Sequence, residues 1–187
     1  FLTRKGEYVK LSGVVAGGFL GGTVQDYGIT LEASKYFSLP WDTILTLKGQ
    51  VAVTDTWGGA TNDNLGVPIF DRLYLGGANN MRGFAYREVG PKDENGNPIG
   101  GNSLAYGTVE WSFPIITRIR GSIFSDWGFV NSGAYDFSGS SLNADIGIGV
   151  RVELPIGPIR VDWGYPIIYD SWNKTNGQFN FNVGYQF

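Results

Sequence analysis

Glu110 and Asp126 are two carboxylates that could in principle act as a general acid and base. Alternation along the segments that carry them places both on the same face of a sheet. Acid/base catalysis would also need a substrate cleft and carboxyl pKa values that differ, and the sequence indicates neither. The chain has no histidine and no cysteine, which removes imidazole triads and His- or Cys-based metal sites. We therefore expect no catalytic residue, no metal site, no cofactor and no enzymatic activity.

Composition narrows the class of protein further. The 187 residues suit a single domain over 1–187, and the net charge of −3 does not indicate a nucleic-acid partner. A helical membrane span would need about 20 consecutive apolar residues, and the sequence contains no such run. A membrane β-barrel stays open as an interpretation, because only every second residue of its strands faces lipid and the mean hydropathy stays low.

The C-terminal residues 177–187 alternate between polar or glycine positions and large apolar positions. This period of two predicts a strand with one polar and one apolar face. The apolar row is too aromatic to face water, and such rows are typical of outer-membrane barrel strands whose other face lines a polar lumen. The row consists of Phe179, Phe181, Val183, Tyr185 and Phe187.

The same alternation recurs along most of the chain and predicts about eight antiparallel strands. A long segment at about 56–102 is rich in Gly, Asn, Asp and Pro and reads as a loop. Charged residues share a strand face with Gly, Asn and Ser, which favours a polar lumen and an all-β transmembrane barrel over a soluble barrel. The predicted strands are 7–19, 24–37, 43–55, 103–115, 118–130, 142–154, 159–165 and 177–187.

Four motifs occur in order between about residue 65 and the C-terminus. They are Arg82-Gly83-Phe84 followed by Gly90-Pro91, Gly-x-x-Glu-x-x-Phe-Pro at 107–114, Phe-x-Asp-x-Gly at 124–128, and Leu-Pro-Ile-Gly-Pro-Ile-Arg-Val-Asp at 154–162 before the terminal aromatic. Together they resemble the C-terminal half of the barrel domain of the BamA-like outer-membrane assembly insertases, the surface-antigen superfamily. Arg-Gly-Phe alone is a weak signal, whereas four motifs in sequence are a strong one.

The resemblance implies that the long loop folds into the lumen and that Arg82 meets acidic residues of the inner wall. Glu110 and Asp126 would accept its fork-shaped guanidinium. Gly83 would permit the backbone turn that aims the arginine. Phe84 and Phe124 would pack beside this pair and lower the local dielectric, and the same motifs add Gly128 to the loop-anchoring set. The alternatives are a solvated loop arginine and two carboxylates that merely line a watery lumen.

The resemblance also implies a gate and an assembly signal on the last strand, at Gly184, Tyr185 and Phe187. Gly184 matches a glycine that lets this strand bend away from its neighbour, although a small lumen residue is an equal alternative. The implied function is insertion of client outer-membrane proteins beside the last strand. The implied location is the outer membrane of a Gram-negative-type envelope or of an organelle of such origin. The implied partners are the lipid bilayer, client barrels and accessory assembly subunits.

The chain departs from the family, whose members carry periplasmic repeats and sixteen strands. About eight strands leave two edges that cannot stay unpaired in lipid. A missing N-terminal half, a second copy, or closure as a small barrel would each satisfy them, and we favour completion by other strands because a 47-residue loop would crowd an eight-stranded barrel. The alternative functions are a polypeptide-secretion pore of the two-partner type and a small structural or passive barrel.

Overall fold

The computed structural model describes residues 3–18, 21–22, 24–57, 66–154, 157–173 and 176–183. They form one eight-stranded antiparallel sheet in which each strand pairs with its neighbour in sequence. The predicted all-β fold with about eight strands is confirmed. The strands are β1 (Gly6–Ala16), β2 (Asp26–Leu39), β3 (Thr43–Thr56), β4 (Ser103–Ile116), β5 (Ile119–Asn131), β6 (Asn143–Leu154), β7 (Gly157–Ile168) and β8 (Gln178–Val183).

The two faces of the sheet differ as the alternation predicts. Large apolar side chains such as Ile148 and Phe181 point outward and are about 60% exposed (60% and 62%). Charged side chains such as Asp126 and Asp162 lie on the inner face and are buried. Since burial of an unpaired charge is costly, the inner face must supply partners for these carboxylates.

An exception to this division of charge lies on the outer face. Lys35 of β2 and Glu7 of β1 are directly opposite in register and form an ion pair with an Nζ–Oε2 distance of 3.2 Å. Both are exposed, and they lie near the end of the sheet at which β2 turns into β3. Long charged side chains are tolerated at such ends because they can reach the polar boundary of an apolar layer.

The strand limits shift by a few residues from the predicted ones. Arg118 belongs to the turn before β5, because its φ of 67° does not fit a strand. β7 continues past Tyr165 to Ile168 because the register shifts by one residue opposite Ala144 and Asp145. This bulge accommodates Pro166, which has no N–H to donate to the ladder.

Connections are short at one end of the sheet and longer at the other. β2 and β3 are joined by a tight turn in which Thr43 N–H donates to Pro40 O at 3.3 Å. Trp41 and Asp42 both have a φ of 57°, the left-handed pair of a type I′ hairpin turn. The long loop joins β3 to β4 at the opposite end and spans residues 57–102.

The described part of the long loop carries its own small core. Its two legs are joined by isolated bridges between Leu73 and Gly101 and between Leu75 and Val89. Apolar side chains of the loop pack against inner-face residues of β3, β4 and β5, so the loop lies against the inner face. The cluster consists of Leu75, Met81, Phe84 and Val89 of the loop with Ala52, Leu104 and Val130 of the strands.

The sheet is open within the described residues, because β1 and β8 are its two edges and do not pair with each other.

No helix in the described part of the chain is both long enough and apolar enough to cross a membrane.

Candidate functional site

The tip of the long loop, residues 76–84, is a compact turn that presents Arg82. Gly77 N–H donates to the carbonyl oxygens of Met81 and Phe84, both at 3.1 Å. The Asn80 carboxamide oxygen accepts from the backbone N–H of Gly76 at 2.9 Å and of Met81 at 2.7 Å. These bonds satisfy the backbone of the turn without a strand partner, so the tip keeps a defined shape away from the sheet ladder.

Arg82 is held by two strands of the inner face. Its Nε and Nη2 donate to the two carboxylate oxygens of Asp126 on β5, each at 2.8 Å, in a bidentate pair. Nη1 donates to Glu110 Oε2 on β4 at 2.5 Å, and Nη2 also donates to Thr108 Oγ1 at 3.1 Å. The structure thus brings together the three charged residues that the sequence singles out. We call Arg82, Glu110 and Asp126 the arginine anchor.

Arg82 and Asp126 of the arginine anchor are almost completely withdrawn from solvent, whereas the side chain of Glu110 is 20% exposed. Asp126 is 0% exposed and Arg82 is 4% exposed. Burial alone would lower the pKa of Arg82, but its hydrogen bond to Asp126 and the charges of Asp126 and Glu110 raise that pKa above the ordinary arginine value. The guanidinium therefore stays charged, and the loop tip cannot leave by deprotonation of the arginine.

The two phenylalanines of the predicted set occupy different places. The ring of Phe124 lies under the guanidinium, with its centroid 3.4 Å from Arg82 Cζ. A buried cation on an aromatic face contributes about 2 kcal/mol. Phe84 instead packs in the apolar cluster of the loop, beside Leu75 and Met81. The expectation that both rings flank the ion pair therefore holds for Phe124, whereas Phe84 fixes the loop through apolar contact.

Gly83 is needed because a side chain would not fit there, and not because of a special backbone conformation. This corrects the expectation from the sequence that it permits a backbone turn. Its φ is outside the left-handed region in which Gly76 and Gly77 of the same loop tip lie. A Cβ at Gly83 would lie 2.4 Å from Asp145 Cβ, and one at Gly128 would lie 2.9 Å from Leu75 Cδ1. Both glycines of the predicted set thus allow the loop to approach the wall closely.

Asp145 of β6 faces Asp126 of β5 directly across the sheet. Like charges at opposed positions repel each other. The loop tip gives each carboxylate its own donor. The Arg82 guanidinium pairs with Asp126, and Gly83 N–H donates to Asp145 Oδ2 at 2.9 Å. Without the loop tip, the two carboxylates would face each other without these two donors.

A second layer of charges supports the anchor. Arg151 Nη2 donates to both Glu110 oxygens at 3.0 and 3.1 Å, and its Nη1 donates to Asp162 Oδ1 at 2.6 Å. Arg160 Nε lies 3.0 Å from Asp162 Oδ2. The network joins β4, β6 and β7 behind the loop tip, so that Glu110 has two cationic partners.

The loop tip also contacts the last strand. Asn180 of β8 donates from Nδ2 to the backbone carbonyl oxygen of Arg82 at 2.8 Å. Asn182 Nδ2 lies 3.3 Å from Asn79 Oδ1, and the Arg160 guanidinium donates to the carbonyl oxygen of Ala78. Close approach is possible because β7 has Gly164 here, where a Cβ would lie 2.6 Å from Gly83 N.

Sequence reasoning missed the supporting residues Asp145, Arg151, Asp162 and Asn180. Alternation placed Asp145 and Arg151 on the inner face, but a period of two does not give the height at which the loop docks. The predicted gate and assembly-signal residues Gly184, Tyr185 and Phe187 lie outside the described residues.

The arrangement holds a polypeptide segment in place, since the loop tip is hydrogen-bonded to β4, β5, β6 and β8. The carboxylates of the arginine anchor are engaged by arginines, and the described residues contain no group of three acidic side chains placed to bind a metal ion.

Comparison with known protein families gives a match over the whole chain. Residues 1–187 match the Omp85 superfamily domain. The outer membrane protein assembly factor BamA of Nitratidesulfovibrio vulgaris is 28% identical, with 96% of this chain and 23% of that protein covered. The sorting and assembly machinery component 50 homolog B of Xenopus laevis is 29% identical, with 88% of this chain and 33% of that protein covered.

A solved structure agrees in fold as well as in sequence. The crystal structure of BamA from Haemophilus ducreyi lacking POTRA domains 1–3 superposes with a TM-score of 0.79 at 25% identity, covering 95% of this chain and 38% of that chain. The chain therefore spans about a quarter to a third of the curated relatives it matches and less than half of the matched barrel structure.

Proposed function

The chain belongs to the Omp85 superfamily, and from that membership we propose that it is the part of an outer-membrane insertase that contains the lumen loop and the last strand. It is an antiparallel transmembrane β-barrel segment located in an outer membrane, as its sequence and structural relatives are. The observation that supports the proposal is the buried arginine anchor, which fixes the long loop to the inner wall beside β8. The proposed activity is the folding and insertion of client β-barrels, with accessory assembly subunits and the bilayer as partners.

The proposed mechanism is templated strand pairing and involves no covalent step. β8 is an edge of the described sheet, where its ladder partner is β7. An unpaired edge is a template for another strand. We call the free edge of β8 the seam. A client strand would add to this edge while the loop keeps the remaining wall in shape.

Other strands must complete the barrel for this proposal to work in lipid. The outer edge of β1 and the seam expose backbone groups, and each unsatisfied group in hydrocarbon costs several kcal/mol. We propose that further strands of a longer polypeptide supply the partners, which a client strand displaces at the seam, and that a second copy of this chain is the alternative source. The mass of the detergent-solubilised particle distinguishes one chain from two.

The experiment that tests the function uses the full-length protein in liposomes with an unfolded client barrel. We expect the client to fold faster in these liposomes than in empty ones, with folding followed by the heat-modifiable band on gels. The matched control is Leu31→Ala on the outer face of β2, far from the seam, which should keep the acceleration. Conductance without faster client folding would instead indicate a secretion pore and would refute the insertase proposal.

A further inference from the structure

β8 is attached to the rest of the protein in two ways. One edge pairs with β7 through Ile159–Gly164 opposite Gln178–Val183. The inner face is attached through side-chain amides to the loop tip, where Asn180 donates to the Arg82 carbonyl oxygen at 2.8 Å. The loop tip therefore holds β8 by contacts that the β7–β8 ladder does not supply.

The contact from Asn180 reaches the loop at the residue that the wall holds most firmly. Arg82 uses its side chain for Asp126 and Glu110, and it uses its backbone carbonyl for β8. A displacement of the guanidinium from Asp126 therefore also moves the acceptor away from Asn180. The loop anchor and the seam strand share one residue.

Steric fit makes this shared contact specific. A Cβ at Gly164 of β7 would lie 2.6 Å from Gly83 N and 2.7 Å from the Arg82 carbonyl carbon. The loop backbone thus rests directly on β7 next to the position where β7 pairs with β8. An amide of the length of asparagine then spans the gap from β8 to the loop.

We propose that Asn180 is a positioning residue that couples the state of the loop to the seam, so that release of the loop tip loosens β8 from β7. The biological meaning of this coupling rests on the proposed insertase function, whereas the coupling itself is a property of the fold. Since thermodynamic coupling is reciprocal, displacement of β8 by a client strand must also weaken the hold on the loop tip.

Hydrogen exchange of β8 amides in the full-length protein in liposomes tests the coupling. We expect Asn180→Ala to speed exchange in residues 178–183 by about five- to tenfold, the range expected for one lost hydrogen bond. The matched control is Gln178→Ala, on the same strand and face but without a hydrogen bond to the loop among the described residues. Equal exchange in the two variants would overturn the proposal.

A double variant separates coupling from a purely local effect. Arg82→Ala should by itself speed exchange in β8, and Asn180→Ala should add little in that background because the acceptor has already moved away. Full multiplication of the two single effects would show that the sites are independent and would refute the coupling. Should Asn180→Ala fail to fold, Asn182→Ala takes its place, with a smaller effect because its contact to Asn79 is longer and exposed.

Failure of the proposed coupling can be distinguished from failure of the proposed insertase function. Faster β8 exchange in Asn180→Ala, together with no acceleration of client folding by the wild type, would refute the insertase proposal and leave the coupling intact. Unchanged β8 exchange with normal client folding would refute the coupling alone.

Discussion

Replacement of Arg82 by alanine is the sharpest test of the arginine anchor. The change removes a bidentate pair with Asp126, one hydrogen bond to Glu110 and the stack on Phe124. The consequences for the two carboxylates differ. Glu110 keeps Arg151 as a partner at 3.0 Å, whereas Asp126, which is 0% exposed, keeps the neutral Thr108 hydroxyl but no ion pair among the described residues.

The expected loss of free energy holding the loop tip therefore corresponds to one buried charge left without a cationic partner, and not to two. Removing one partner of a buried ion pair costs about 3–5 kcal/mol. At 1.36 kcal/mol per factor of ten, the population with a released loop should rise by roughly two to four powers of ten. Arg82→Lys keeps the charge but not the fork, so we expect an intermediate loss.

Limited proteolysis of the loop in the folded protein measures this population. Cleavage follows the open fraction when the loop opens and closes faster than it is cut. The matched control is Arg87→Ala, an exposed arginine of the same loop that stacks on Tyr74 at 4.2 Å and has no ion pair among the described residues. We expect it to cost about 1 kcal/mol or less.

Equal loop protection in Arg82→Ala and Arg87→Ala would show that water reaches Asp126 and replaces the guanidinium. The reasoning from burial would then be wrong, even if the hydrogen-bond geometry is correct.

Three further predictions concern space, lipid and pH. Gly83→Ala should weaken loop protection by about 1–3 kcal/mol, because its Cβ would overlap Asp145, while Gly139→Ala, which meets no atom within 4 Å, should not; equal proteolysis rates would contradict this. Leu31→Lys on the outer face should lower the free energy of unfolding, measured by urea titration of the folded band, by about 2–4 kcal/mol, because lipid contacts the outer row. Thr30→Lys on the inner face should cost much less, and equal losses in the two variants would refute this assignment of the faces. Hydrogen bonds from the Asn97 side chain and backbone hold the pKa of Asp93 below its ordinary value of 3.8. The backbone amides of Asn95 and Asn97, which donate to this carboxylate, should therefore stay protected from hydrogen exchange above pH 3.8 and lose protection as pH falls through the lowered pKa. Loss of protection near pH 6, or unchanged protection in Asp93→Ala, would refute this.

The faces of the strands were predictable because alternation is a local property of the chain. The outward position of Ile148 and the inward positions of Glu110 and Asp126 follow from a period of two. The pairing of these carboxylates with Arg82 came from family resemblance and not from periodicity, because the loop has no repeating pattern that would place its tip.

The remaining partners were not predictable for a physical reason. Asn180 acts through its reach to a backbone carbonyl, and any residue of the loop offers such a carbonyl. The role of Gly83 depends on the distance to Asp145, which is 62 positions away in the sequence. Such contacts are visible only when the loop backbone is placed against the sheet.

The facing carboxylates of β5 and β6 have a consequence for the order in which the protein folds. Asp126 and Asp145 repel each other until the loop brings Arg82 and Gly83, which are separated from them by 44 and 62 positions. Final packing of these two strands and docking of the loop tip are then coupled, and contacts between such distant positions form slowly. A nascent chain whose loop has been cut should therefore complete this hairpin more slowly than the intact chain.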